Sequence, residues 1–260
     1  MSTVDIQVNA GIARITLSNP RRYNAMSFGM WQALADAARD LAMRHDVRVV
    51  VLRGDGERAF VSGADISEFE DRRSDAGAAG DYNDAVARAQ DGLCALPKPV
   101  IANIHGVCMG GGIGLALACD LRYCARDARW RMPAARLGLG YGYQGMRRVV
   151  EVIGSARAAE LFFTARTFDG DEAARIGLVH QVYEAAELDA AVDAIAAQIA
   201  ANAPLTIEAA KMAIGLCAGH PGESDLARID AAVQRCFDSE DYVEGRRAFM
   251  EKRPPRFRGR

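Results

Sequence analysis

The sequence has little with which to hold a metal or a cross-link. Its six cysteines, at 94, 108, 119, 124, 217 and 236, include no Cys-x-x-Cys, and its four histidines show no paired spacing. Neither a metal site nor a disulfide framework is expected. Five of the cysteines stand among apolar neighbours and read as small buried hydrophobes; Cys236, beside Arg235, is less clear. A formal net charge of −2 leaves no basic excess for bulk nucleic-acid binding. The longest apolar window, Val107–Cys119, is too short to span a bilayer. No basic segment followed by an apolar one opens the chain, so a secretory signal is not visible and the cytoplasm is the expected location. What is present, 260 residues with 50% hydrophobic and 25% charged side chains, is the composition of an ordinary soluble protein with material for a substantial core.

Hydrophobic periodicity divides the chain in two. Ile6–Asn9 and Ile12–Leu17 read as strands joined by a turn at Ala10-Gly11. Ser27 caps a helix running to about Arg44, with Met30, Leu34, Ala37 and Leu41 on one face. Val47–Arg53 reads as a buried strand, and short strands follow at Leu121–Ala125 and Arg129–Met132. The stretch from Pro133 to Tyr143 has little regular signal. Helices are expected over Gln144–Ile153 and Ser155–Phe163, another starts at Asp169, and Leu178–Val182 is strand-like. From about Glu187 the pattern is purely helical. An α/β body over residues 1–183 and a helical region over 184–260 is the expected organisation. The arginine-rich tail Arg253–Arg260 reads as a solvated end.

Two stretches carry chemistry. Gly110, Gly111 and Gly112 follow the apolar run Pro99–Ile104 and precede Leu115–Ala118, a strand, glycine loop and helix in succession. Residues without Cβ let a ligand approach the backbone, and the first N–H groups of a helix are free to donate to an anionic oxygen. By itself such a loop is as readily a packing contact between helix and strand. The second stretch, Ala59-Phe60-Val61-Ser62-Gly63-Ala64-Asp65-Ile66, lies some way upstream, after the strand-like run Val47–Arg53.

Together, Phe-x-x-Gly-Ala-Asp-Ile and His105-Gly-x-x-x-Gly-Gly-Gly resemble the crotonase (enoyl-CoA hydratase/isomerase) superfamily. Asn19-Pro20-x-x-x-Asn24-Ala25 and Phe249-Met250-Glu251-Lys252-Arg253 extend the resemblance over almost the whole chain. It implies a spiral of strand–strand–helix (ββα) turns with a helical C-terminal region that makes a homotrimer or a dimer of trimers. It also implies an acyl-CoA thioester as substrate, coenzyme A entering as part of that substrate with no separate cofactor. By motif position the N–H groups of Ala64 and Gly111 are the donors that hold the thioester oxygen as it becomes an enolate. The resemblance assigns substrate contacts to Arg22 (near the CoA phosphates), Ala25, Asp65, Ile66, Gly110, Tyr143, Phe249 and Lys252. A solvated arginine in an exposed turn is the competing reading for Arg22.

The departure from the hydratase pattern is as informative. In hydratases of that superfamily one glutamate lies two residues after the last glycine of the triplet, and another directly follows the proline of the next loop. Gly114 and Ala134 stand there in this chain, and neither can move a proton. Tyr141 resembles in position a tyrosine of crotonase-type methylmalonyl-CoA decarboxylases, although those enzymes carry a histidine where this chain has Ala64. The alternative is that Tyr141 and Tyr143 merely line the acyl pocket. Arg136 reads as a substrate-carboxylate partner or a surface ion pair, and the acidic segment from Glu68 to Asp71 as a flap beside the site or a solvated face. Three functions stay open: an enolate-stabilising lyase or isomerase with a proton carrier other than glutamate, a hydratase with relocated carboxyls, and a non-catalytic CoA-thioester binder.

Overall fold

The structure, a computed structural model, describes residues 2–68, 76–217, 219 and 221–260; the side chains of Ile66 and of residues 76–79 are outside that description. Strands β1 (Thr3–Asn9) and β2 (Ile12–Ser18) form the expected hairpin, with Asn9 paired to Ile12. Both turn residues are left-handed, Ala10 at φ 49° and Gly11 at φ 79°, the two-residue geometry whose twist matches that of paired strands.

Three successive pairs of strands then build two sheets at once: β3 (Val49–Gly54) with β4 (Ala59–Val61), β5 (Val100–Ile104) with β6 (Val107–Met109), and β7 (Leu121–Ala125) with β8 (Arg129–Arg131). The first member of each pair joins the six-stranded sheet β1-β2-β3-β5-β7-β10, and the second joins the four-stranded sheet β4-β6-β8-β9, where β9 is Thr167–Phe168 and β10 is Gln181–Tyr183. From β2 to β10 the larger sheet is parallel. Each pair is followed by helix: α2 (Ala76–Ala95), α3 (Gly111–Ala118), then α4 (Ala134–Leu137) and α5 (Tyr143–Thr164). This is the ββα spiral, a crotonase-like α/β fold.

Strands β3 and β5 are apolar almost throughout because both their faces are covered. Val50 and Leu52 point into the main core with Leu34, Leu93 and Leu115, while Val49 and Val51 point the other way. There they meet Leu188, Val192 and Ala196 of helix Ala185–Ala201, so the first helix of the C-terminal region roofs the sheet. Asp189 of that helix accepts hydrogen bonds from Asn103 (2.7 Å) and lies 2.9 Å from His105 Nε2.

Helix α1 (Phe28–Met43) begins where Ser27 Oγ accepts from the Met30 N–H at 3.3 Å, as its sequence indicates. Helix α5 is continuous except at Gly154 (φ 75°), which divides it at the break read between Ile153 and Ser155. Three readings are corrected. Leu178 is not in a strand: after helix Gly170–Arg175 and left-handed Gly177, its N–H closes onto the Ala173 carbonyl (2.8 Å), burying the side chain as a cap contact. Cys94 and Cys217 are exposed, and only Cys108, Cys119 and Cys124 are buried; burial pushes the Cys124 thiol up to about 12. The tail is not a free end. Buried Asp241 accepts from the N–H groups of Arg258 (2.6 Å) and Gly259 (2.8 Å), and Arg48 donates to the Phe257 carbonyl. Among the described residues no single helix is long and apolar enough to cross a membrane.

Candidate active site

The spiral places the ends of β4 and β6 side by side, and the loops leaving them meet. The first is Gly63-Ala64-Asp65. Gly63 has φ 124°, a conformation open to glycine, and its carbonyl accepts from Met26 N–H (2.8 Å). Asp65 N–H returns to the Met26 carbonyl (2.9 Å). These two bonds hold Ala64 in a single bridge against Met26 and turn its own N–H away from both; it has no acceptor among the described residues.

The second loop is Gly110-Gly111-Gly112. Gly110 has a positive φ (50°), and its N–H donates to the Arg131 carbonyl. Gly111 opens α3, so its N–H has no intrahelical partner. A Cβ on Gly111 would stand 3.8 Å from the Gly63 carbonyl carbon and 3.3 Å from the Trp31 ring; one on Gly112 would stand 2.3 Å from the Val61 carbonyl oxygen. The two loops therefore touch, with the Ala64 and Gly111 donors in adjoining loops beside the N-terminal end of α3. Pro133, just before Ala134, also borders Gly110.

What holds the first loop was not evident in the sequence. Trp31 Nε1 donates to the Tyr82 hydroxyl (3.0 Å), which donates to the Met26 carbonyl (3.3 Å), so a buried chain from α1 and α2 supports the segment that fixes Ala64. Asn24, left-handed at φ 55°, spans the other side: its Nδ2 donates to the carbonyls of Ala59 (2.8 Å) and Asp55 (3.1 Å), and its Oδ1 accepts from Asn19 N–H. Asn19 Nδ2 donates in turn to the Ala25 carbonyl. The Asn-Pro-x-x-x-Asn-Ala motif is thus a clasp on the turn and strand that lead into the loop, with Ala25 buried inside it. The motif's spacing was visible; its hydrogen-bonding purpose was not.

Asp65 is buried and faces protein. Its carboxylate accepts from Ser67 Oγ (2.7 Å), Ser67 N–H (3.1 Å) and Arg22 Nη1 (2.5 Å). Burial pushes this carboxyl up, but the Ser67 bonds and the Arg22 charge outweigh it and hold it below its ordinary value. Arg22 keeps about half of its side chain exposed beside the loop. Ile66 starts a 3-10 turn, Ile66–Glu68, its side chain lying outside the described residues, as do Glu70 and Asp71. Glu68 is spent on the fold: its Oε2 accepts from Phe28 N–H (2.7 Å) at the start of α1.

The remaining candidates are dispersed. Tyr141 packs edge-on against Phe162 with ring centroids 5.1 Å apart and keeps 38% of its surface. Tyr143, the first residue of α5, is 74% exposed, and Arg136 is exposed on α4. Phe249 is exposed at the end of helix Glu240–Met250, followed by Lys252 at φ 53°; no hydrogen bond among the described residues joins either side chain to the loops. Gly114 lies one turn along α3 from Gly111, and Ala134 is buried at the start of α4.

The enoyl-CoA hydratase/isomerase family model matches residues 7–260. The short-chain-enoyl-CoA hydratase of Clostridium acetobutylicum is 34% identical over 97% of this chain and 96% of its own length. The crotonyl-CoA hydratase of Syntrophomonas wolfei is 33% identical over 95% of this chain and 94% of its own. A crystal structure of an enoyl-CoA hydratase/carnithine racemase from Magnetospirillum magneticum superposes with a TM-score of 0.95 at 37% identity, covering 100% of this chain and 97% of that one. A family model matched over nearly the whole chain, these relatives and this shared spiral make this chain a member of the enoyl-CoA hydratase/isomerase family.

Proposed function

We propose that the chain is an acyl-CoA enzyme that stabilises a thioester enolate between the N–H groups of Ala64 and Gly111, a lyase or isomerase whose proton carrier is neither of the usual glutamates. The observation that carries this reading is the pair of backbone donors on touching loops, neither with an acceptor among the described residues. Donors fixed before charge develops need not reorganise during the reaction, and losing one typically costs about 2.7–4 kcal/mol of transition-state stabilisation. Gly114 and Ala134 stand where the superfamily resemblance puts the two glutamates of hydratases, so water activation by those positions is lost. Tyr141 is the proton or hydrogen-bond donor of this reading. Arg22 meets the CoA phosphates, Phe249 and Lys252 complete the CoA site, and coenzyme A arrives only as part of the substrate. The exposed Ile214, Val233, Phe237 and Val243 of the last helices suit a homotrimer or a dimer of trimers.

A conventional 2-enoyl-CoA hydratase with relocated carboxyls is the second reading, favoured by relatives that are named hydratases. Its nearest candidate in the described flap, Glu68, is already engaged at the start of α1. A non-catalytic CoA-thioester binder is the third. Turnover of a panel of acyl-CoAs, read beside calorimetry with acetyl-CoA and its thioether analogue, separates the three. Binding with turnover other than hydration supports the first, rapid hydration the second, and binding without turnover the third. No binding at millimolar concentration removes all of them.

A further inference from the structure

The N–H of Ala64 takes its direction from Met26. A trans peptide is planar, with its C=O and N–H pointing opposite ways, and no cis bond occurs among the described residues. The Gly63 carbonyl accepts from Met26 N–H (2.8 Å), so the Ala64 N–H on the same peptide points away from Met26 and swings if Met26 moves. The Met26 carbonyl is held by two donors, Asp65 N–H (2.9 Å) and the Tyr82 hydroxyl (3.3 Å). That hydroxyl also accepts from Trp31 Nε1 (3.0 Å), and Trp31 and Tyr82 each keep only 1% of their surface. An indole N–H can only donate, so it leaves the single phenol proton to the Met26 carbonyl. The same indole reaches the second loop. A Cβ on Gly111 would stand 3.3 Å from Cζ2 and 3.6 Å from Cη2 of Trp31.

Resting on the acyl-CoA reading above, we propose that Trp31 and Tyr82 are positioning residues, a buried strut that sets how the N–H groups of Ala64 and Gly111 stand relative to each other. Tyr82 acts on the first loop through Met26, and Trp31 acts on the second by contact at Gly111. The hydrogen bond between them joins the two arms. It is a tertiary bond between α1 and α2, so the pair of donors is aligned only when those helices are packed. Donors of this kind work because they are fixed before charge develops, and a misplacement of about 1 Å can cost about 10²-fold in rate. A pair that merely filled the core would change stability and leave the polarisation of a bound thioester as it was.

The test is infrared spectroscopy of acetyl-CoA carrying ¹³C at the thioester carbonyl, because a carbonyl that accepts hydrogen bonds absorbs at lower frequency. Wild type should shift the band down on binding. Tyr82→Phe removes one oxygen and keeps the ring; it should lose most of that shift while affinity stays within about twofold, since the donors bind mainly the developing charge. Trp31→Phe keeps the Tyr82–Met26 bond but withdraws the indole from Gly111; it should reduce the shift as well, and it guards against misfolding of the first variant. With any acyl-CoA that wild type turns over, kcat should fall by about tenfold or more in Tyr82→Phe and KM far less. A full wild-type shift in either folded variant overturns the strut and leaves the acyl-CoA reading standing. No binding by wild type, or binding with no shift, overturns the donor pair itself and the strut with it.

Discussion

The Val61 carbonyl oxygen lies 2.3 Å from the point where a Cβ on Gly112 would stand. Helix α3 therefore rests directly on the backbone of β4, and the closeness of the two donor loops follows from that contact. Gly112→Ala must push helix and strand apart, since a carbonyl cannot swing aside as a side chain can. Overpacking of this kind typically costs about 1–3 kcal/mol. Denaturant unfolding should show a loss in that range together with weaker thioester binding. Gly114→Ala makes the comparison: its Cβ meets only the end of the Gln90 side chain, and its cost should be well below that of Gly112→Ala.

Asp65 gives a prediction in pH. Its folded-state pKa is held below the ordinary carboxylate value, because the Ser67 and Arg22 bonds outweigh burial. A depressed pKa contributes stability that is fully present above the unfolded-state value, near 3.9, and is lost as pH falls through the folded value. Asp65→Asn should cost about 1.5–3 kcal/mol at pH 7, the scale of hydrogen bonds to a charged group. The gap to wild type should be the same at pH 5 and narrow only below about pH 4. If unfolding curves show it closing between pH 7 and 5, burial dominates and the sign assigned to Asp65 is wrong.

Much of this molecule was legible because its signals are local. Ser27 sits three residues from the N–H it caps, Ala10-Gly11 is a turn by itself, and both donor loops are contiguous motifs. Gln90, Trp31 and Tyr82 gave no such signal. Each acts across elements far apart in the chain, Gln90 reaching both Gly114 and Arg148 and Trp31 reaching Tyr82, and their local patterns are those of ordinary helix faces. The tail misled for the same reason. Its arginines look solvated until Asp241 and Glu244 are seen to accept from its backbone. Asp65 was recognised by motif, but the burial and partners that turn its carboxylate inward belong to the folded clasp.

Hydration of crotonyl-CoA should be negligible in the wild type, because losing a positioned acid or base typically costs about 10²–10⁴-fold per group. Restoring one carboxyl by Gly114→Glu should fail alone, since Gln90 occupies the first atoms of the new side chain. Gly114→Glu with Gln90→Ala and Ala134→Glu clears that space and supplies both carboxyls. Loss of enoyl absorbance should be faster for this triple variant than for wild type by at least about tenfold. A wild-type rate within tenfold of an ordinary hydratase would show that another residue already supplies the proton.

Tyr141 bears the last prediction. Its ring is held edge-on by Phe162 and lies beside Gly145, so Tyr141→Phe removes one oxygen and leaves that packing in place. If its hydroxyl stabilises or protonates the enolate, kcat should fall by about 10²-fold or more, the scale of one acid–base group. KM should move far less, because the interaction is made mainly in the transition state. Unfolding measured beside turnover separates a chemical role from a packing one. Tyr143 is the control: at 74% exposure on the first turn of α5, its change to Phe should leave turnover within about twofold. Full turnover in Tyr141→Phe with loss in Tyr143→Phe would move the proton carrier to the second tyrosine. Full turnover in both would make the two rings walls of the acyl pocket and leave the enolate to the Ala64 and Gly111 donors alone.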